Sequence, residues 1–138
     1  MHVLVVEDNR ADVFLVREAI ARYHLKVELH VVENGKAAFD FIDMADADPS
    51  APCPCLAMLD LNVPIRDGRE VLQHLRESRK CSHVPVLIMT SSDSPSDHEA
   101  TSRLGANAYF RKPLHYDEFL KIGEEIKRLL PAEAVETP

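Results

Sequence analysis

Polar side chains follow several short apolar runs of this sequence, and together they suit the chemistry of a metal ion and a phosphoryl group. Glu7 and Asp8 follow the run HVLVV, and Asp60 follows the run LAML. Thr90 and Lys112 each follow a further apolar segment. Carboxylates held close together raise one another's pKa values unless a cation is present. A lysine and a hydroxyl group stabilise phosphoryl oxygens.

This set of residues indicates a phosphoryl-transfer site in which a carboxylate is the acceptor. Mg²⁺ is the metal that fits, because it binds a few carboxylates together with water and phosphate oxygens. Each residue also has a simpler interpretation. Asp60 could start a turn, Glu7 and Asp8 could charge a helix N-terminus, and Lys112 could be an ordinary surface lysine. These simpler interpretations would require four separate segments to end by chance in groups that suit a phosphoryl site.

The pattern of apolar residues predicts alternating strands and helices, ending at residue 130 with a flexible tail over 131–138. Strands are predicted over 2–6, 26–32, 56–59, 84–89 and 108–111. Helices are predicted from 9 onward and over 36–45, 69–77, 95–104 and 117–130. Such alternation predicts an α/β domain, over 1–130, with a parallel sheet and helices on both faces. Carboxyl ends of parallel strands meet at one edge, so the polar groups should converge there.

Composition excludes some classes of partner. The chain has 138 residues and a formal net charge of −7, whereas sequence-independent binding to nucleic acid needs a basic surface. No apolar run is long enough to cross a bilayer, and no leader precedes the first strand. We therefore expect a soluble, cytoplasmic protein whose partners are proteins rather than nucleic acid or membranes.

Cysteine and histidine give no clear metal site. Three cysteines are an odd number, which predicts free thiols in a reducing compartment. A zinc site needs four ligands, so we interpret Cys53 as a loop thiol and Cys55 as a small apolar residue at the start of a strand. The seven histidines are scattered and predict no ligand cluster. The loop over 46–54 is predicted to be the least constrained part of the chain.

Motifs at these strand ends resemble those of the receiver domain of two-component response regulators. The resemblance covers essentially the whole chain, and it implies a flavodoxin-like, doubly wound (βα)5 fold with strand order 2-1-3-4-5. Each motif is weak alone, but the set is specific. The motifs are Val5-Val6-Glu7-Asp8-Asn9, Asp60-Leu61-Asn62-Val63-Pro64 with Asp67-Gly68, Met89-Thr90-Ser91, and Tyr109-Phe110-Arg111-Lys112-Pro113.

The resemblance implies a role for each residue of the site. Asp60 would accept the phosphoryl group from a phosphohistidine of a sensor histidine kinase. Asp8, Asp60 and the backbone carbonyl of Asn62 would bind Mg²⁺ directly, and Glu7 would hold it through water. Lys112 would pair with the phosphoryl oxygens.

Further residues would report phosphorylation to the surface. Thr90 would turn inward to the phosphoryl group, and Tyr109 would follow it from exposed to buried. Ser91 would offer its backbone N–H to the same oxygens. The resemblance also implies a cis peptide between Lys112 and Pro113, an isomer that is essentially a proline feature.

The sequence is similar to the small regulators paired with bacterial and cyanobacterial phytochromes. We therefore expect a stand-alone receiver, with a phytochrome as a candidate kinase and a downstream protein or phosphotransfer protein as its target. The surface of the fourth helix, fifth strand and fifth helix would carry the change, and it is also a candidate homodimer surface. Its apolar residues would either form that interface or complete the core: Phe110, Leu114, Tyr116 and Leu120.

Two other functions remain as alternatives. A phosphatase of the haloacid dehalogenase type also uses an aspartyl nucleophile, but it needs a second acid two residues on, where this chain has Asn62. A pseudo-receiver would bind partners without phosphorylation. We expect a phosphoacceptor that phosphorylates itself and loses the group slowly, rather than an enzyme with turnover.

Overall fold

Five parallel strands form the sheet at the centre of the computed structural model, which describes residues 1–136. The strands are β1 (His2–Val6), β2 (Glu28–Val32), β3 (Leu56–Leu59), β4 (Val86–Thr90) and β5 (Ala108–Arg111). Their order is β2-β1-β3-β4-β5, with every neighbouring pair parallel. The predicted fold class and strand order are confirmed. The alternating pattern of residues 28 to 32 is explained by the position of β2 at one edge of the sheet.

Helices follow each strand. They are α1 (Arg10–Arg22), α2 (Gly35–Ala47), α3 (Gly68–Arg76), α4 (Pro95–Arg103), α5 (Tyr116–Phe119) and α6 (Ile122–Leu129). Asn9, Asn34 and Asp67 precede the first three helices, and their side chains accept hydrogen bonds from backbone N–H groups of the first turn. Such caps satisfy donors that have no partner within the helix.

The core has one layer on each face of the sheet, because successive strand residues point to opposite faces. Leu4, Leu59 and Ile88 are among the strand residues that pack with α2 and α3. Val5 and Met58 belong to the opposite face, which packs with α1, α5 and α6. The central strands β1, β3 and β4 are thus buried on both faces, as their continuous apolar sequences predict.

Two glycines shape the chain near the functional edge. A Cβ on Gly68 would lie 2.4 Å from the carbonyl oxygen of Asp60, so glycine allows the start of α3 to approach the end of β3. Gly105 follows α4 and has a φ of +85°. Glycine adopts this left-handed conformation with little steric strain, so it ends the helix.

The C-terminal part differs from the prediction. The single helix predicted over 117–130 is divided into α5 and α6 at Leu120 and Lys121. After α6, a short 3₁₀ helix spans Ala132–Ala134, and Val135 forms an antiparallel bridge with Leu25. Residues 131–136 therefore pack against the connection between α1 and β2 rather than lying free. The last two residues of the predicted tail, 137 and 138, lie outside the described residues.

The prediction of free thiols was wrong for two of the three cysteines. Cys53 and Cys81 form a disulfide, which joins the α2–β3 loop to the α3–β4 connection. Cys55 is free and half-buried, and burial raises the pKa of its thiol. Cys53 and Cys81 are 28 positions apart in sequence and meet only in the folded chain, so their spacing did not reveal the disulfide.

The α2–β3 loop is also more constrained than predicted. The Lys80 ammonium donates hydrogen bonds to backbone carbonyls of Ala45, Asp48 and Ala51. Asp46 accepts hydrogen bonds from the Ser78 hydroxyl and the Lys80 backbone N–H, at 2.7 and 3.0 Å. These contacts satisfy carbonyls at the end of α2 and fix the loop to the segment before β4.

None of the helices described over residues 1–136 has the length and hydropathy of a membrane span.

Candidate functional site

The predicted site residues meet at the carboxyl edge of the sheet. The strand order reverses between β1 and β3, because β1 lies between β2 and β3. Ligand sites of open α/β sheets lie in the crevice at such a point. Glu7 and Asp60 follow these two strands and are 1% and 5% exposed, whereas Asp8 is exposed. The convergence predicted from the strand ends is thus present.

Lys112 joins the carboxylates. Its ammonium lies 2.5 Å from Glu7 Oε1, 2.8 Å from Asp60 Oδ2 and 2.7 Å from Asp12 Oδ2. The lysine side chain is 10% exposed, so these ion pairs are largely shielded from water. Lys112 reaches the site because β5 ends beside β4, which places the following residue over the end of the sheet.

Asp12 is a site residue that the sequence analysis missed. It lies in the first turn of α1, where the Asn9 side chain accepts hydrogen bonds from the backbone N–H groups of Ala11 and Asp12. This cap fixes the first turn and directs the Asp12 carboxylate toward Lys112. The available signal was an acid in the first turn of the helix predicted to follow Glu7 and Asp8, next to the end of the first strand.

Burial and charge change the protonation of the site. Burial raises the pKa of Glu7 to about 7, although the hydrogen bond and charge of Lys112 act in the opposite direction. For Lys112, burial disfavours the charged form, but hydrogen bonds to Asp12, Asp60 and Glu7 outweigh it and raise the pKa. The ammonium therefore keeps its charge throughout the physiological range.

The donor set fits a hard divalent cation. Glu7, Asp8 and Asp60 each offer a carboxylate oxygen, and these atoms lie within 4.8 Å of one another. Asp12 adds a fourth carboxylate, whereas Lys112 is the one cationic side chain among the described residues that line this cavity. Oxygen ligands with excess negative charge are the environment that Mg²⁺ and similar ions prefer.

The carboxylates line a cavity of about 370 Å³. It is separate from a cavity of about 420 Å³ that other residues of the protein line. Asn62 and Ser91 line the smaller cavity with the acids and Lys112. The backbone N–H of Asn62 donates a 3.0 Å hydrogen bond to Asp60 Oδ1. One Asp60 oxygen thus has a backbone donor, and the other has the lysine. Asp60 is oriented toward the cavity by both.

The loop between β3 and α3 has an unusual backbone conformation. Ile65 has a φ of +75°, which is rare for a β-branched residue. Strain of this kind is concentrated at functional sites. This loop includes Asn62 and ends at the Asp67 cap of α3.

Thr90 lies behind this cavity and is fully buried. Its hydroxyl oxygen accepts hydrogen bonds from the Asn62 side chain at 3.4 Å and the Ser92 backbone N–H at 3.3 Å. Thr90 therefore links the loop after β3 to the loop after β4.

Tyr109 is partly buried and contacts the same loop. Its hydroxyl donates a 2.9 Å hydrogen bond to the Ser92 carbonyl, and its ring stacks on His98 of α4 with centroids 3.5 Å apart. Burial raises the pKa of the Tyr109 hydroxyl. Tyr109 thus connects β5, the loop after β4 and α4.

One expectation for this region needs correction, and one open question receives an answer. The peptide between Lys112 and Pro113 is trans, which is the intrinsically favoured isomer by about 0.5–1 kcal/mol. The four apolar residues of the candidate surface divide between the two interpretations. Leu120 is buried and Phe110 packs edge-on against Phe119, whereas Leu114 and Tyr116 are exposed.

Known proteins are similar to this chain in sequence and in fold. Residues 3–123 match the model of the response regulator receiver domain. The response regulator Rcp1 of Synechocystis sp. is 33% identical, over 91% of this chain and 85% of its own. The structure of the Mn²⁺-bound form of Rcp1 has a TM-score of 0.84, with 31% identity and 99% of each chain covered. The phosphorylated cyanobacterial phytochrome response regulator RcpA also has a TM-score of 0.84, with 29% identity over 97% of this chain and 96% of its own.

Proposed function

The chain belongs to the family of response regulator receiver domains, and from this premise we propose that Asp60 accepts a phosphoryl group from a phosphohistidine of a sensor histidine kinase. The observation that supports this role is the placement of the Asp60 carboxylate. It faces the cavity, 2.8 Å from the Lys112 ammonium and within 4.8 Å of carboxylate oxygens of Glu7 and Asp8.

In the proposed reaction an Asp60 carboxylate oxygen attacks the phosphorus atom. The new P–O bond forms as the P–N bond to the kinase imidazole breaks, and the imidazole keeps the electron pair and takes up a proton from water. Lys112 stabilises the phosphoryl oxygens with its positive charge. Hydrolysis of the acyl phosphate is slow, because position 62 is an asparagine and supplies no general acid or base.

The proposed metal is Mg²⁺, with Asp8, Asp60 and the Asn62 backbone carbonyl as direct ligands and Glu7 as a ligand through water. The bound ion would supply positive charge against the phosphoryl oxygens and the carboxylates.

Phosphorylation acts on two neighbouring loops in this proposal. The added group has nearly two negative charges and new acceptor oxygens. The Thr90 hydroxyl would exchange its partners Asn62 and Ser92 for the phosphoryl group, and the Ser91 N–H would donate to it. Since Tyr109 bonds the Ser92 carbonyl, a shift of this loop would release Tyr109 toward the interior.

The proposed output of this switch is the surface of α4, β5 and the predicted fifth helix, which the structure divides into α5 and α6. It would bind a downstream protein or a phosphotransfer protein, and the exposed Leu114 and Tyr116 would be available to a second copy of the chain. The similarity to RcpA supports a phytochrome as the kinase. We propose a cytoplasmic location on the same basis.

Mass spectrometry tests the phosphoacceptor. With a small phosphodonor and Mg²⁺ the protein should gain about 80 Da, the mass of one phosphoryl group, and the gain should disappear in EDTA. Asp60→Asn should abolish it. Asp93→Asn is the matched control, because Asp93 is at the same edge of the sheet but pairs with Arg111 at 3.4 Å, outside the cavity. Labelling of Asp60→Asn at the wild-type level would reject the proposal.

A further inference from the structure

Two histidines and a glutamate converge at the opposite edge of the sheet from Asp60. In the register of β1 with β2, His2 lies beside Glu28, and Leu4 lies beside His30. Residues two apart on a strand share a face, so His2, Glu28 and His30 all project from the face that α2 covers. His2 is the first residue of β1 and Glu7 follows its last, so roughly 16 Å of strand separates this cluster from the phosphoryl site.

The side chains are close enough to share one ion. His30 Nε2 lies 2.8 Å from His2 Nδ1, and His2 Nδ1 lies 3.3 Å from a Glu28 carboxylate oxygen. One donor atom from each of the three residues falls within 4.8 Å of the others. Ligands of a tetrahedral zinc ion lie about 3.3 Å apart when each is about 2.0–2.1 Å from the metal. Only small shifts of the two rings would therefore admit the metal.

The short contact between the two imidazoles needs a shared proton in the absence of a metal. An imidazole nitrogen is either a donor or an acceptor, so one ring must donate to the other across 2.8 Å. A divalent ion would replace that proton and accept both lone pairs. Two imidazoles and one carboxylate are ligands of intermediate softness, which favour Zn²⁺ and related transition ions over Mg²⁺.

A cavity gives access to the cluster. Its volume is about 420 Å³, and both His2 and His30 line it. Phe41 and Met44 of α2 and Pro52 of the α2–β3 loop form part of its mainly apolar wall. The rings of His30 and Phe41 lie 5.7 Å apart. The same loop is fixed by the Cys53–Cys81 disulfide, so the wall of the cavity has covalent support.

We propose that His2, Glu28 and His30 form a zinc-binding site with three protein ligands and a fourth position for water or an exogenous ligand from the cavity. Open sites of this kind are typical where the metal interacts with a further molecule. This inference is independent of the phosphoryl site, because it uses other residues at the other edge of the sheet. It also corrects the sequence-based expectation that the histidines form no cluster, since β2 returns beside β1 in the fold and brings His30 to His2.

Calorimetric titration with Zn²⁺ tests the site in protein without an affinity tag. Excess Mg²⁺ is present to occupy the carboxylates around Asp60. The wild type should bind one equivalent of zinc at the cluster, and His2→Gln or His30→Gln should weaken binding by at least about 100-fold. Glu28→Gln should weaken it about 10-fold. Its side chain is 71% exposed, so this variant should fold even if a histidine variant does not.

Two controls distinguish this site from other zinc sites. His83→Gln changes an exposed histidine outside the cluster and should bind zinc as the wild type does. Asp60→Asn should also retain the zinc equivalent, because its carboxylate belongs to the opposite edge. A four-coordinate Co²⁺ visible spectrum should appear in the wild type and disappear in His30→Gln. Zinc affinity that is unchanged in His2→Gln, His30→Gln and Glu28→Gln, or no zinc binding by the wild type, would overturn the proposal.

Discussion

At the scale of single residues, Lys112 is the counter-charge for two buried acids and one half-buried acid. Its ammonium contacts Glu7, Asp12 and Asp60, which come from two different loops and a helix. Buried carboxylates are costly without a partner. Because one lysine cannot neutralise all of them, a divalent cation and Lys112 should share this task.

Replacement of Lys112 should therefore destabilise the metal-free protein. We expect Lys112→Met to lower the free energy of unfolding by about 3 kcal/mol in EDTA, because removal of one member of a buried ion pair leaves the other uncompensated. The loss should be smaller in saturating Mg²⁺, which supplies the missing charge. Urea unfolding under the two conditions measures both values.

Lys36→Met is the matched control for this experiment. Lys36 pairs with Asp40 at 3.0 Å on the exposed surface of α2, and such a pair contributes about 0.5 kcal/mol. Equal destabilisation by Lys112→Met with and without Mg²⁺ would contradict the idea that the lysine and the ion balance the same charges.

At the scale of elements, an Asp97 network connects α3 and α4 to the loop after β4. The Asp97 carboxylate accepts a hydrogen bond from the Ser92 hydroxyl at 2.5 Å and pairs with Arg69 of α3. Tyr109 bonds the carbonyl of the same Ser92. The Ser92 hydrogen bond, with that of Arg69, lowers the pKa of Asp97 below its ordinary value.

This lowered pKa predicts an acid-dependent loss of stability. Folding favours the ionised form of Asp97, so its contribution is complete above the ordinary pKa of an aspartate and is lost as the pH falls through the lower folded value. Asp97→Asn should cost about 1 kcal/mol near pH 7, and the difference from wild type should shrink below about pH 4. Chemical unfolding over this pH range measures the difference.

Glu33→Gln provides the comparison, since its nearest cation is Arg10 at 3.9 Å and both side chains are exposed. Its effect should be small at every pH. If the wild type remains more stable than Asp97→Asn by the same free energy of unfolding below about pH 4, the charge of the carboxylate is not the source of the stabilisation.

The disulfide is the second feature at this scale, and its reduction should destabilise the protein. Cys53 and Cys81 are separated by 28 positions, and a cross-link over a loop of this length contributes roughly 3 kcal/mol by restricting the unfolded chain. We expect that decrease in the free energy of unfolding when a thiol reductant is added. The Cys53→Ser/Cys81→Ser variant should have the lower value already and should not respond to the reductant. Two accessible thiols in the untreated wild type, beyond Cys55, would contradict this bond.

At the scale of the whole molecule, the sequence was sufficient for the sheet and for most of the site. Apolar runs that end in Glu7, Asp60 and Thr90 predict both the buried strands and the edge where their polar groups meet, because a parallel sheet collects carboxyl ends at one side. The position of Lys112 followed from the same rule. These features depend on order along the chain, which a sequence displays directly.

Features that depend on contact between distant segments were not predictable in this way. Asp12 reaches Lys112 because the first turn of α1 directs its side chain toward the end of β5. Cys53 and Cys81 meet because the α2–β3 loop contacts the α3–β4 connection, and His2 meets His30 because β2 pairs with β1. The division of the last helix at Leu120 is also missing from its apolar pattern, which continues through Phe119, Ile122 and Ile126. Local periodicity indicates which face is buried, but it does not show where a helix is interrupted.

Chemical trapping of the phosphorylated residue tests the central claim most directly. Borohydride converts an aspartyl phosphate to homoserine, and peptide mapping then locates the modified position. After incubation with phosphodonor and Mg²⁺, the modification should occur at residue 60 and should be absent in EDTA. Modification of Glu7, Asp8 or Asp12 instead, or of no residue at all, would contradict the account.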